Sequence, residues 1–126
     1  MRVLRADLRV RDGRIAEIGD CAPEGAEVVD VRDRWILPGF VQTHVHLVQT
    51  LFRGIADDLE LLDWLRTRIW PLEAAHDPES AFASARLGVS ELLLGGTTAI
   101  LDMASVRHTD AIFAACAEGG IRASVG

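Results

Sequence analysis

Beyond Pro38 the chain alternates short apolar runs with longer segments of helical spacing, in the order strand, helix, strand, helix, strand. The first strand is Phe40 to His46. Leu61, Leu62, Leu65 and Ile69 then mark one helical face that is expected to end at Trp70-Pro71. A second helix starts with Asp77 as N-cap and Pro78 at its first position, buries Phe82, Ala85, Val89, Leu92 and Leu93, and stops at Gly95-Gly96. Thr97 to Leu101 is β-branched and apolar, a buried strand with Asp102 at its carboxyl end. A third helix, Asp110 to Glu118, is stopped by Gly119-Gly120, and Ile121 to Val125 begins another strand. Such alternation implies an α/β fold with a parallel sheet and right-handed crossovers. A doubly wound sheet and a (β/α)8 barrel both satisfy it, and both place ligands at the carboxyl ends of strands. No GxGxxG or P-loop follows any of these strands, which counts against a nucleotide-binding doubly wound sheet.

The first 36 residues follow a different pattern. Leu8 and Val10, then Asp12-Gly13, then Ile15 and Ile18 read as a hairpin, because Asp-Gly is a favoured two-residue turn between alternating strands. Val28 to Val31 reads as a further short strand after the polar loop from Ala22 to Ala26. Three short strands cannot close a sheet with two buried faces, so this region is expected to be part of a small β subdomain completed by strands from elsewhere.

The strand from Phe40 ends in His44-Val45-His46. Alternation puts Phe40, Gln42, His44 and His46 on one side, and Val41, Thr43 and Val45 on the other, where helices pack. Two imidazoles then project together from one strand end. Neutral imidazole is the commonest protein ligand for zinc and similar metals, so an i, i+2 pair can supply two ligands of one coordination sphere. The remaining histidines carry less: His76, at a helix junction, is expected to face solvent, and His108 either supports a loop or approaches the strand ends. Asp102 either orients a ligand histidine or caps the following turn.

Composition narrows the partners. Nineteen acidic against 13 basic residues give a net charge of −6 with no basic cluster, which argues against nucleic acid or an anionic membrane. The longest apolar stretches fall far short of a membrane span. Cys21 and Cys116 lie far apart without CxxC spacing, as expected of the reducing cytoplasm, and Cys116 reads as a small buried hydrophobe. A small-molecule substrate is the expected partner, with homo-oligomerisation left open.

The run from Leu37 to Leu47 resembles the first-strand signature of the amidohydrolase superfamily, metal-dependent (β/α)8 barrels with an attached β-sandwich. The hairpin around Asp12-Gly13-Arg14-Ile15 is similar to the sandwich strands, and Gly95-Gly96-Thr97-Thr98 through Asp102 to the second barrel strand. The segments Thr50 to Leu59, Trp64-Leu65 and Ile69 to Glu73 resemble the deaminase and chlorohydrolase branch, above all the methylthioadenosine/S-adenosylhomocysteine and 5′-deoxyadenosine deaminases. The resemblance implies sandwich strands over residues 1–36 and the first part of a barrel over 37–126. It implies His44 and His46 as metal ligands, Trp64 as a wall of the substrate pocket and Glu73 as the contact to ribose hydroxyls. By spacing alone Trp64 would be core packing and Glu73 a solvated acid.

Further ligands of that superfamily, on barrel strands 5, 6 and 8, and the glutamate of its HxxE motif have no counterpart in 126 residues, whereas such a barrel takes about 250. The chain is therefore expected to be an incomplete barrel, inactive alone, with the catalytic groups and the C-terminal part of the same enzyme downstream of residue 126. The implied activity is zinc-dependent hydrolytic deamination of an adenosine-like nucleoside, and iron(II) suits the same ligand types. Guanine or cytosine deamination, chlorotriazine hydrolysis, and a non-catalytic α/β binding module are the alternatives.

Overall fold

The computed structural model describes residues 3–126. The chain divides into two compact units, Met1–Ile36 and Leu37–Gly126.

In the first unit, β1 (Asp7–Arg11) pairs antiparallel with β2 (Arg14–Gly19). Asp12 and Gly13 have φ of 51° and 69°, the left-handed pair that a two-residue hairpin turn demands. The register shifts between Arg9 and Val10, and Arg9 faces Glu17 across the ribbon with a 3.2 Å ion pair. The expected strand at Val28 to Val31 does not form. A lone extended segment has no ladder to satisfy its backbone, and Val28 and Val29 stay exposed.

The second unit is built on three parallel strands in the order β3 (Phe40–Val45), β4 (Thr97–Asp102) and β5 (Arg122–Val125). Between β3 and β4 run a 3-10 turn (Leu47–Phe52), α1 (Leu61–Trp64), a π turn (Leu65–Ile69), α2 (Trp70–Ala75) and α3 (Pro78–Leu94). The helix α4 (Thr109–Gly119) joins β4 to β5. Ile100 and Ile121 meet Val89 of α3, Ile112, Ala115 and Cys116 of α4, and Leu47 and Val48 of the 3-10 turn in one buried cluster. No helix is long and apolar enough, among the described residues, to cross a membrane.

Three local expectations change. Pro71 does not end the helix before it: Trp70 N–H bonds Leu65 O five residues back, and helical backbone continues to Ala75. A proline ring in a regular helix collides with the carbonyl four residues earlier, and the wider π turn leaves room for it. Of the expected apolar face, Ile69 is buried and Leu65 half-buried, whereas Leu61 and Leu62 remain exposed at its start. On β3 only Val45 packs against the core, while Val41 is 65% exposed.

The N-terminus of α3 is capped as its sequence implies. Asp77 Oδ1 accepts from Ser80 N–H at 2.8 Å and Ser80 Oγ accepts from Asp77 N–H at 3.0 Å. Further along, Ser84 and Gly88 form a cradle for the 3-10 turn. Ser84 Oγ lies 3.0 and 2.9 Å from Leu47 O and Val48 O, and a Cβ at Gly88 would stand 2.6 Å from Thr50 Oγ1. From the other side Asp102 Oδ1 accepts Leu47 N–H at 2.7 Å, with both residues 1% exposed. The turn that follows the histidine pair is thus held by α3 and β4 together.

Two outcomes test this cradle. Gly88→Ala gains helix propensity of about 1 kcal/mol but forces the turn off α3, and should lower stability by a net ~1 to 3 kcal/mol in chemical denaturation. Asp102→Ala strands a buried donor, so the Leu47 amide should exchange with solvent deuterium about tenfold faster or more.

Candidate functional site

His44 and His46 leave the carboxyl end of β3 with their rings 4.8 Å apart and nearly perpendicular, and their Nε2 atoms 3.0 Å from each other. His46 Nδ1 lies 2.9 Å from Met103 O. A carbonyl only accepts, so Nδ1 carries the hydrogen and Nε2 is left with its lone pair pointing to His44. Two nitrogens bound to one tetrahedral zinc at about 2.05 Å stand about 3.3 Å apart, close to the separation found here. The pair therefore fits a metal of this kind through both Nε2 atoms. Among the described residues no third histidine, cysteine or carboxylate joins them, so the pair offers two donor nitrogens.

Asp102 takes the capping role left open by the sequence. Its Oδ1 fixes Leu47 N–H, the first amide after His46, and β4 carries Met103 just beyond it. Its Oδ2 is buried without a hydrogen-bond partner among the described residues. Burial pushes the carboxyl pKa up, against the Leu47 N–H and the nearby His46, which lower it. The same burial, with Asp102 close by, raises the Cys116 thiol, in keeping with an inert core residue.

A cavity of about 580 Å³ runs from His46 along β3 and α3 to Gly95 and Thr97 at the amino end of β4, and its walls include Gln49, Asp57, Trp64 and Ile69. Trp64 is thus brought to the same cavity as His46, half-buried at the end of α1. His44 and Glu73 are not among its lining residues. Glu73 instead stands behind Gln49, whose Nε2 donates to Glu73 Oε1 at 2.8 Å. Gln49 had no signal of its own in the sequence: it reaches Glu73 only because the chain after His46 coils into a 3-10 turn. Arg53, at the end of that turn, makes a two-pronged ion pair with Glu91 of α3 at 2.7 and 2.9 Å, and both lie on the cavity wall.

His76 does not face solvent as expected. It is half-buried, with Nδ1 2.9 Å from Ser80 Oγ and Nε2 3.0 Å from Val48 O, and it stacks on Phe52 at 5.0 Å. Its own carbonyl accepts from His108 Nε2 at 3.0 Å. His108, at φ 59°, therefore supports the loop after β4 and does not join the His44–His46 pair.

Residues 35–126 match the amidohydrolase family. A 5-methylthioadenosine/S-adenosylhomocysteine deaminase of Bacillus cereus (strain AH187) is 48% identical over 101 residues, which are 79% of this chain and 23% of that protein. Among solved structures, guanine deaminase from C. acetobutylicum with bound guanine superposes with a TM-score of 0.85 at 31% identity, over 96% of this chain and 30% of that one. A zinc-bound adenosine deaminase from Xanthomonas campestris is 40% identical with a TM-score of 0.61, over 68% of this chain and 19% of that one. The chain spans about a quarter of the length of the curated relatives it matches. With the match running from the strand that bears the histidine pair through β5, the chain belongs to the amidohydrolase family.

Proposed function

We propose that this chain supplies the opening strands and half of the metal centre of a hydrolytic deaminase acting on an adenosine-like nucleoside of the 5-methylthioadenosine or S-adenosylhomocysteine type. The observation that carries it is the convergence of His44 and His46 Nε2 at the carboxyl end of the first parallel strand. The 48% identity to a deaminase of that type favours its substrate class over guanine, whose deaminase is the more distant relative in sequence at 31%.

In this reading β3, β4 and β5 are the first three strands of a (β/α)8 barrel, the other five come from outside this chain, and residues 1–36 are strands of an attached β-sandwich. The exposed Val10, Ile15 and Ile18 of the ribbon, and Leu101 and Met103 on the bare side of β4, are what such missing layers would cover. Zinc, when bound, would bring the pKa of a water far down from its ordinary value, to about 7, and so would supply a nucleophile for the amino-bearing ring carbon. His44 and His46 hold the metal, and Met103 O keeps His46 in the tautomer that can ligate. Trp64 walls the base or its substituent, and Glu73, steadied by Gln49, accepts from the vicinal hydroxyls of the ribose. The remaining ligands and the group that moves protons belong to the strands this chain lacks.

Replacing the matching stretch of the Bacillus cereus deaminase by this chain's 101 residues tests the assignment. The chimera should release ammonia from 5-methylthioadenosine or S-adenosylhomocysteine, and His44→Ala or His46→Ala within it should abolish release. A chimera that folds, binds zinc and deaminates neither substrate would refute it. For the isolated chain, no ammonia above blank is expected. Calorimetry should find zinc bound far more weakly than in a complete four-ligand site, with binding lost in the His44→Ala, His46→Ala double variant.

A further inference from the structure

The proposed site leaves the half-buried His76 without a task. His76 sits at the joint between α2 and α3, three residues after Glu73, and its ring is committed on every side. Nε2 faces a carbonyl, Val48 O, and so must carry the hydrogen. Nδ1 then accepts from Ser80 Oγ, which in turn accepts the Asp77 N–H of the α3 cap. Phe52, the last residue of the 3-10 turn, stacks on the ring face at an interplanar angle of 24°. The His76 carbonyl takes the His108 Nε2 hydrogen from the loop after β4.

These bonds give the turn and the end of α2 two parallel ties, one residue apart on the turn. Val48 O is held by His76, and Gln49 Nε2 holds Glu73 Oε1. A carboxamide on a short 3-10 turn can direct a carboxylate only if the turn is fixed relative to the helix that bears the carboxylate, and the His76 to Val48 bond supplies that fixation. We propose that His76 is a positioning residue for substrate recognition: by locking the 3-10 turn to the α2–α3 joint it sets the Gln49–Glu73 pair in register for the vicinal hydroxyls of a ribose. This inference rests on the role proposed above for Glu73.

The test uses the complete enzyme, this chain together with the strands that close its barrel, and two conservative variants. In His76→Gln the amide nitrogen can replace Nε2 and keep the bond to Val48 O. In His76→Asn the shorter side chain reaches only as far as Nδ1, keeping Ser80 and losing Val48. KM and kcat are measured for 5-methylthioadenosine and for its 2′,3′-dideoxy analogue, with Glu73→Gln as reference and the unfolding midpoint recorded for each variant. A one-ångström misplacement at a binding group should raise KM for the ribonucleoside about tenfold in His76→Asn, with kcat and the dideoxy KM unchanged and His76→Gln close to the parent. A merely structural role would lower the unfolding midpoint and move both substrates together, which would overturn the proposal. If Glu73→Gln separates the two substrates and His76→Asn does not, the inference on His76 falls alone. If Glu73→Gln fails to separate them, the role of Glu73 and the inference fall together.

Discussion

Leu47 N–H donates to Asp102 Oδ1 at 2.7 Å in a core where neither residue touches solvent, and much of the second unit is arranged around that bond. It joins the first residue after the histidine pair to the end of the neighbouring strand, so the relative height of β3 and β4 is set where the two imidazoles emerge. Burying a carboxylate is costly unless it is bonded, and among the described residues Asp102 has a partner for one oxygen only. The same strand end leads into Met103, whose carbonyl lies 2.9 Å from His46 Nδ1.

Much of this fold could be read from the chain itself. Asp77-Pro78 and Gly95-Gly96 bracket α3, Gly120 in the left-handed conformation ends α4, and Asp12-Gly13 makes the hairpin turn. Each of these is local backbone chemistry, and local chemistry survives folding unchanged. The errors come from places where a distant partner decides. Val28 to Val31 has strand composition and no edge to pair with, and Pro71 is tolerated because a π turn, invisible to apolar spacing, precedes it. His76 looked polar and exposed at a helix junction, yet a carbonyl 28 residues earlier and an aromatic ring draw it inward.

The site was legible to the same degree. His44 and His46 follow from strand alternation, although His46 itself lies just past the last paired residue of β3. Trp64 needed the family pattern to be moved from core to cavity wall. Gln49 escaped both kinds of reading, because its contact with Glu73 depends on a 3-10 turn cradled by Ser84 and Gly88. Small residues four apart on a helix carry no chemistry of their own, and their meaning is the space they leave for another segment.

The metal role proposed for the two imidazoles bears on how such an enzyme assembles. His46 is oriented by a backbone carbonyl and His44 meets it at 3.0 Å, so in the proposed reading the first two ligands come from one strand end. Two neutral ligands bind zinc weakly, and the affinity of a complete site comes from the added ligands, above all an anionic carboxylate, when the other strands close around it. Metal binding then stabilises the closed barrel over the open one by the difference between the two affinities. In such a scheme the parallel strands described here act as a template, and the ion secures the return of the distant part of the sheet to β3.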